Sequence, residues 1–463
     1  MVGHLRVLLS TLVASDSAVH GGPVVAWRHA LALAKVGAEV HLVAPEIAIE
    51  LAPQLFKVER YSSSGPNGQF VTRRPDAQAV LGIAAIIDRF KPHLVYDVHG
   101  PAWAVDAAAN RGVPIVSMVG DYGWFCRLNS CLVDSKSKRC SGPDSTAKCF
   151  QCANRRQRVR WRALNTLLMA KSSLWSEIAE SQDYCAAMLE KVTAFVIGDL
   201  QAERVFREHG VEPRKLIRLA QGLPDELLIA RRSDDGKVPG IDRPIRIGFV
   251  ARLHPEKGFH VLAKAFESLA QEPNVELWIA HSEYAKPDIV ERHFADRRRF
   301  RSHLRSGRVR LFQPRSREEL LRTMAEMDVG VVPSLAYESP SLALLEFVSQ
   351  KTPVIRSESD GMSHVIQDSI NGRTFSYGDS EALATVLRDL IAEPALLMQW
   401  REKLPAIGSD VNYARQLLEH FTQLVTVQEK NQRESIHVQG THFERPPDRD
   451  RCHGDIQLGA LHS

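Results

Sequence analysis

Two glutamates eight positions apart, Glu338 and Glu346, form the pattern in this 463-residue chain that points most directly to chemistry. The apolar run at 328–333 is typical of a buried parallel strand, and the apolar spacing of 341–350 predicts a helix. Glu338 is therefore expected in the strand-to-helix loop, where ligands bind in open α/β sheets, and Glu346 in the helix. Two carboxylates there can accept hydrogen bonds from several sugar hydroxyls. A solvated loop acid beside a helix-surface acid is the alternative.

Basic residues of a second strand-to-helix segment supply a counterpart to this pair. Arg252 follows an apolar strand-like run, and Lys257 precedes Gly258 at the start of a predicted helix. Fixed cations and a helix N-terminus stabilise the charge that develops on a leaving phosphate. The alternative is an incidental surface ion pair for Arg252 and a solvated Lys257. The glycine pair 21–22 follows the first strand, where it would let backbone approach a phosphate or simply form a turn.

The order and spacing of these motifs resemble those of retaining glycosyltransferases of the GT-B type, family 4 (glycosyl transferases group 1). The resemblance runs from about residue 5 to about residue 425. It is carried by these segments: Gly21-Gly22, Arg252 to Lys257-Gly258, the Glu338–Glu346 pair, Thr352-Pro-Val-Ile355, Gly361 and Asn371-Gly372. It implies an α/β GT-B fold in which two Rossmann-like domains with parallel sheets face an interdomain cleft. Strands that alternate with helices throughout the chain independently predict parallel sheets.

The resemblance also implies roles for individual residues. Glu346 would bind the ribose hydroxyls of a donor nucleotide, and Glu338 would hold the transferred sugar by positioning and electrostatics. Backbone groups beside Glu338 would assist, namely those of Ser339, Pro340, Ser341 and Leu342. The leaving phosphate itself would take the acceptor proton, so transfer requires no cofactor. The expected reaction moves a sugar from a nucleotide-diphosphate sugar to a glycan or lipid-linked acceptor in surface polysaccharide or glycoconjugate synthesis.

One departure from the family pattern concerns the N-terminal half. Gly120 stands where a histidine is usual in that family, directly before Asp121. The role of the histidine would then shift to His99, at the end of the preceding predicted strand, or to Asp121. The alternative is a catalytically impaired nucleotide-sugar-binding or scaffold protein of the same fold.

Five cysteines lie close together in the sequence between positions 126 and 152. Cys149 and Cys152 have the C-x2-C spacing that suits half of a tetrahedral zinc site, and Cys126 and Cys140 are expected to complete it. The remaining cysteine of the cluster, Cys131, would be spare. Such a zinc would be structural. The alternatives are disulfides or unligated thiols. A subset of bacterial glycosyltransferases of this family carries a similar cysteine-bearing insertion at this place.

Five arginines in eight residues, 155–162, directly follow the cysteines and run into an apolar stripe at 161–168. One interpretation is an amphipathic helix that covers the N-terminal sheet and exposes a solvated basic face. The other is peripheral contact with an anionic membrane, which would bring the enzyme to a lipid-linked acceptor.

The expected domain organisation follows from the polar segment near 231–243, which resembles an interdomain linker. Residues 1–230 would form an acceptor domain with a cysteine-rich insertion at 121–155, and residues 231–410 the nucleotide-sugar donor domain. A helix at 411–428 would pack back across the hinge, and residues 429–463 would form a disordered tail.

The composition argues against other classes of protein. A net charge of +4 does not favour a nucleic-acid partner. No apolar run approaches the roughly 18 residues of a membrane span, and the N-terminus does not resemble a signal peptide. A cytoplasmic location is expected, with peripheral attachment at the inner face of the membrane as the refinement that the arginine-rich segment suggests.

Overall fold

The computed structural model describes residues 4–16, 21–49, 54–64, 75–98, 100, 102–126, 131–157, 159–229, 237–280, 286–338 and 341–440. Three of the predicted site residues, His99, Ser339 and Pro340, lie outside these ranges. So do residues 441–463, the greater part of the predicted tail.

The N-terminal half contains a seven-stranded parallel sheet of order β5-β3-β1-β6-β7-β8-β9 and a short β2–β4 pair. Its strands are β1 (Arg6–Ser10), β2 (Val13–Ser15), β3 (Glu39–Ala44), β4 (Glu46–Ala48), β5 (Lys57–Arg60), β6 (Leu94–Val98), β7 (Ile115–Val119), β8 (Ala194–Ile197) and β9 (Leu216–Arg218). Its helices are α1 (Gly21–Lys35), α2 (Ala77–Phe90), α3 (Trp103–Ala109), α4 (Thr146–Arg155), α5 (Val159–Leu168), α6 (Ser173–Lys191), α7 (Leu200–Glu208) and α8 (Asp225–Leu228).

The C-terminal half repeats the architecture with a six-stranded parallel sheet of order β12-β11-β10-β13-β14-β15. Its strands are β10 (Ile245–Val250), β11 (Val275–Ala280), β12 (Val309–Phe312), β13 (Val329–Val332), β14 (Val354–Ser357) and β15 (Gly372–Phe375). Its helices are α9 (Phe259–Ser268), α10 (Pro287–Glu291), α11 (Arg297–Ser306), α12 (Arg317–Glu326), α13 (Leu342–Ser349), α14 (Ser380–Ala392), α15 (Leu396–Glu402) and α16 (Asp410–Gly440).

The central strands are buried along their whole length because helices cover both faces of each sheet. Every residue of β6 and β7 is buried. One face of the N-terminal sheet packs against α2 and α3, and the other packs against α1 and α16. Such two-sided burial explains why these strands are near-continuous apolar runs in the sequence.

The last helix returns to the N-terminal half and continues further than the sequence predicted. Tyr413, Leu417, Phe421 and Val425 of α16 belong to the same buried cluster as strands β1 and β3. The helix runs to Gly440, so residues 429–440, predicted as part of a disordered tail, are helical. Once packing has nucleated a helix, extending it through polar residues costs little free energy. The polar composition of 429–440 therefore did not indicate that the helix continues.

None of the described helices combines the length and the apolar character that a membrane crossing requires.

Candidate functional site

The carboxyl ends of β10 and β13 lie side by side, and the loops that follow these strands carry Lys257 and Glu338. Lys257 ends a short turn after β10, and Glu338 ends the described part of the loop after β13. Gly258 has a φ of 71°, and a Cβ there would lie 1.8 Å from the carbonyl oxygen of Pro333. The absence of a side chain at Gly258 therefore lets the two loops meet.

Glu338 is held by two polar side chains. The Nζ of Lys257 donates to its Oε1 at 2.7 Å, and the hydroxyl of Ser334 donates to the same oxygen at 2.6 Å. Burial by itself would raise the pKa of Glu338, but the charge and hydrogen bond of Lys257, with Ser334 and Arg252, outweigh it. The net effect lowers the pKa, so Glu338 is an ionised carboxylate near neutral pH.

Contacts with two other loops hold the loop that carries Glu338. The Ser334 hydroxyl also lies 3.2 Å from the Glu256 carbonyl, and the amide of Leu335 donates to that carbonyl at 2.7 Å. A Cβ on Gly361 would lie 1.9 Å from the Glu338 carbonyl oxygen, so this second loop also packs directly on the first. The position of the carboxylate thus depends on backbone contacts from three loops.

Glu346 lies on α13 and is almost completely buried, with 2% of its surface exposed. Its carboxylate forms an ion pair with Arg317, the first residue of α12. Burial raises the pKa of Glu346, and the positive charges of Arg317 and of Arg28 from α1 only partly offset this. The sequence alone does not indicate Arg317, because no local pattern connects two residues 29 positions apart.

The other residues predicted to bind the donor border the same region. Arg252 is exposed just beyond β10, and Ser341 and Leu342 form the N-terminus of α13. Gly21 and Gly22 form the first residues of α1 and not a loop that precedes it. Arg28, which acts electrostatically on Glu346, lies two turns further along that helix.

The segment after β7 brings the N-terminal half to the pair Lys257–Glu338. The ring of Tyr122 packs edge-on against Tyr337 at 6.0 Å, next to Glu338. Asp121 accepts a hydrogen bond from the amide of Gly123 at 2.8 Å and so shapes the turn that follows Gly120. Burial raises the pKa of the Cys131 thiol to about 12, and Lys257, Glu338 and Asp121 also act on it. Cys131 therefore lies close to the pair.

The cysteine-bearing insertion also contacts the C-terminal half. The guanidinium of Arg139 bonds the carbonyl of Glu358 and lies over the Tyr377 ring at 4.1 Å and the Tyr337 ring at 5.1 Å. The Tyr377 hydroxyl lies 2.8 Å from the Leu335 carbonyl and 3.2 Å from the Ser137 carbonyl, so it can donate to either of them. The insertion thus spans the cleft beside Glu338.

The four cysteines predicted as zinc ligands line one cavity of about 250 Å³. These are Cys126, Cys140, Cys149 and Cys152. Burial raises the pKa of Cys149 to about 11, and the three other thiols contribute to the rise. Among the described residues, however, no three histidine, cysteine, aspartate or glutamate side chains stand in an arrangement that could hold a metal. The structure brings the four cysteines to one cavity without forming a coordination sphere.

Helix α5, the arginine-rich segment, does not cover the sheet, so that interpretation of its sequence is wrong. Leu167 and Val159 are 84% and 78% exposed, and Trp161, Leu164, Leu168 and Met169 are also exposed. The helix is attached through its neighbours: Asn154 of α4 donates to the Arg162 carbonyl at 3.2 Å and to the Thr166 hydroxyl at 2.9 Å. Its apolar side chains face solvent.

Comparison with known proteins agrees with this geometry. Residues 244–393 match the family model described as Glycosyl transferases group 1. The chain is 30% identical over 195 residues to a D-inositol 3-phosphate glycosyltransferase of Corynebacterium urealyticum. It is 27% identical over 188 residues to the lipopolysaccharide core biosynthesis glycosyltransferase LpsE of Rhizobium meliloti. These matches cover 40% and 38% of this chain and 44% and 50% of the two relatives, so the chain spans about half the length of the curated relatives it matches.

Solved structures are similar over nearly the whole chain. Sucrose-phosphate synthase from Thermosynechococcus elongatus has a TM-score of 0.62 at 19% identity and covers 92% of this chain and 100% of its own. Anabaena HepE in complex with UDP has a TM-score of 0.59 at 15% identity and covers 90% and 100%. The predicted α/β GT-B fold, with two Rossmann-like domains of parallel sheets, is confirmed.

Proposed function

We propose that this protein is a retaining glycosyltransferase that moves a sugar from a nucleotide-diphosphate sugar to a glycan or lipid-linked acceptor. The observation that carries the proposal is the ion pair at 2.7 Å between Lys257, which is partly exposed, and the buried Glu338, at the carboxyl ends of β10 and β13. Both residues lie within 244–393, the segment that matches the group 1 family model.

Donor binding would use the fixed charges of the C-terminal half. Lys257 and Arg252 would face the diphosphate, since each stabilises the negative charge that builds as the bond to the sugar breaks. Glu338 is ionised and oriented by Ser334, so its carboxylate can accept hydrogen bonds from sugar hydroxyls. The N-terminus of α13 at Ser341 and Leu342 would direct free N–H groups toward the same ligand.

Glu346 would bind the ribose hydroxyls. Its present partner, Arg317, satisfies a carboxylate that would otherwise be buried without a counter-charge. The second carboxylate oxygen leaves further acceptor capacity for ribose, so the ion pair orients Glu346 and need not be broken by the donor.

The transfer step follows the retaining course that the motifs suggest. The bond between the sugar C1 and the leaving phosphate oxygen breaks, and the acceptor oxygen bonds C1 on the same face. The acceptor proton moves to the departing phosphate, so no protein nucleophile is required. Asp121 acts electrostatically on Cys131, as Lys257 and Glu338 do, and we assign it a role in orienting the acceptor or the sugar in place of the histidine absent at position 120.

Calorimetric titration with UDP-, GDP- and ADP-sugars tests donor binding. We expect Lys257→Met to weaken binding of the preferred donor about 10- to 100-fold, since a hydrogen bond to a charged group contributes about 1.5–3 kcal/mol. Lys264→Met, which changes an exposed lysine of α9, is the matched control. If no nucleotide sugar binds and Glu346→Ala changes nothing, the proposal is wrong.

Turnover is a separate question from binding. NMR of the product formed from an α-linked donor should show an α-linkage, as retention requires. Donor binding without transfer or hydrolysis would instead support the alternative, a nucleotide-sugar-binding or scaffold protein of the same fold.

We further propose that α5 places the enzyme on an anionic membrane surface, where a lipid-linked acceptor resides. Its exposed apolar side chains, Leu167 and Val159 above all, lie in a stretch from 145 to 176 that has seven basic residues and no acidic one. An exposed apolar face beside an excess of basic residues is the combination that binds anionic lipid headgroups.

Vesicle flotation tests this contact. The protein should float with phosphatidylglycerol vesicles more than with phosphatidylcholine vesicles, and less at high salt because salt screens the charges. The substitution Leu167→Ser should weaken flotation, whereas Leu81→Ser, at a residue 71% exposed on α2, should not. Equal loss in both variants, or no preference for anionic lipid, would refute the membrane contact.

A further inference from the structure

The cavity inside the insertion gathers four thiols from three separate backbone segments. Cys149 and Cys152 lie three positions apart on α4 and therefore share a face of that helix. Cys140 follows the bridge between Val133 and Arg139, and Cys126 follows the turn closed by its own amide on the Tyr122 carbonyl. All four side chains line the same space of about 250 Å³.

The other two described cysteines are separate from this group. Cys185 is buried on α6, and Cys131 lies toward Lys257 and Glu338 and is not among the residues lining the cavity. No disulfide joins any of the described cysteines. The four cavity thiols are thus a distinct set, of the number and residue type that a tetrahedral thiolate site needs.

The positive charge around the cavity favours a negatively charged group of zinc and thiolates inside it. Arg139, Lys148 and Arg155 line it, against a single lining acid, Asp134. Lys148 donates to the Gly142 carbonyl at 2.8 Å and also pairs with Asp144 at 2.5 Å. Among the described residues, this leaves Arg139 and Arg155 as the lining cations that do not pair with a carboxylate. Four thiolates around a divalent zinc ion carry a net charge of −2, which such cations stabilise as outer partners.

We propose that Cys126, Cys140, Cys149 and Cys152 bind one structural zinc ion as four thiolates. Binding would release the four thiol protons to solvent. The sulfurs as described do not form a ligand group, so they must close on the ion. Rotation of each side chain about χ1 moves its sulfur between staggered positions, and the cavity provides the space. The inference does not depend on the proposed glycosyltransferase activity.

A zinc ion here would act on the cleft through the insertion. It would tie α4 to the strand-like segment that ends in Arg139, the residue that stacks on Tyr377 and Tyr337 beside Glu338. Loss of the ion should therefore free Arg139 and its neighbours from the C-terminal half, even though the ion contacts no substrate.

Metal analysis of the full-length protein tests the proposal. Elemental analysis should find one zinc per chain in protein purified under reducing conditions, and Cys152→Ser should lose it. Cys131→Ser is the matched control, because it removes a cysteine of the same insertion that lies outside the cavity, and it should retain the zinc.

A second measurement covers the case in which Cys152→Ser fails to fold. Co²⁺ exchanged into the wild-type protein should give the visible absorption of a tetrahedral thiolate site, and chelation should expose four additional thiols to alkylation. Wild-type protein without zinc and without Co²⁺ absorption, whether its thiols are free or paired as disulfides, would overturn the proposal. Equal loss of zinc in both serine variants would do the same.

Discussion

Glu338 and Glu346 lie on one strand–helix unit, yet their surroundings shift their acidities in opposite directions. Burial dominates at Glu346 and raises its pKa, whereas Lys257 outweighs burial at Glu338 and lowers it. The two pKa shifts therefore change the stability of the fold with pH in opposite directions. Glu338 stabilises the fold above its ordinary pKa and loses that contribution on acidification. Glu346 favours the fold at low pH and costs stability as pH rises through its raised pKa.

The raised pKa of Glu346 has a consequence for the proposed binding of a donor nucleotide. Its carboxylate accepts hydroxyl hydrogen bonds best when ionised, and it takes up a proton above the ordinary value of 4.5. We expect nucleotide affinity to begin falling on acidification above pH 4.5, and Glu346→Gln to flatten this dependence. Calorimetry across a pH series measures it, with Glu419→Gln on the exposed face of α16 as control. An unchanged pH profile in Glu346→Gln would show that another group is responsible.

Gly258 provides a second test at the residue scale. Gly258 and Gly112 have similar φ values, 71° and 66°, but only Gly258 has backbone within reach of a Cβ. Alanine should cost about 1–2 kcal/mol at both through the left-handed conformation. Gly258→Ala should cost about 1–3 kcal/mol more through the clash with Pro333. Urea unfolding of both variants compares them, and equal losses would contradict the close approach.

The sequence indicated Glu338, Glu346, Lys257 and Arg252 as site candidates because each follows an apolar strand at its carboxyl end. It could not indicate Arg317 or Arg139. Their partners lie far away in the chain, and only the folded arrangement of α12, α13 and the insertion creates those contacts.

At the scale of elements, α16 is the last described helix of the chain and yet packs on the N-terminal sheet. Phe421 is fully buried and meets the Tyr96 ring of β6 at 5.2 Å, whereas Val427, six residues further on and on another face of the helix, is 58% exposed. The helix therefore contributes to the N-terminal core although it is last in the sequence.

Alanine substitutions on α16 should separate these two faces. Phe421→Ala should lower the free energy of unfolding by about 3–5 kcal/mol because it leaves a cavity between helix and sheet. Val427→Ala should change it by less than about 0.5 kcal/mol. The melting midpoint of each variant reports the difference, and similar midpoints would mean that α16 is not docked in solution.

The sequence predicts best those elements whose burial produces a clear pattern of apolar residues. Strands β1, β3, β6, β7 and β8 are apolar runs, so the sequence alone indicates them. Short edge strands such as β5 and β15 contain polar residues that mask the pattern. Only tertiary contact decides whether such segments extend a sheet.

At the scale of the whole molecule, one buried ion pair connects the first helix to the last. Arg28 of α1 donates to both carboxylate oxygens of Asp410 at 2.8 Å and to the Gly222 carbonyl at 2.7 Å. Both side chains are more than nine-tenths buried, at 7% and 8% exposure. Residues 382 positions apart thereby meet where the chain crosses between the two halves.

This pair should be strongly coupled. Arg28→Met or Asp410→Asn alone should cost about 3–5 kcal/mol because each leaves a buried group without its partner. The double variant should cost less than the sum of the two. The exposed Arg111–Asp88 pair, at 2.6 Å, is the control and should show little or no coupling. Additive losses for Arg28 and Asp410 in a double-mutant cycle would refute the coupling.

The return of α16 to the N-terminal sheet also bears on how the protein is made. The N-terminal half is synthesised first, but residues 413–425 of α16 cover the face of its sheet that also packs against α1. On the ribosome that face remains open until almost the whole chain has been translated. Completion of the first domain is therefore tied to the end of synthesis, and the nascent N-terminal half is the stage at which a chaperone would be needed.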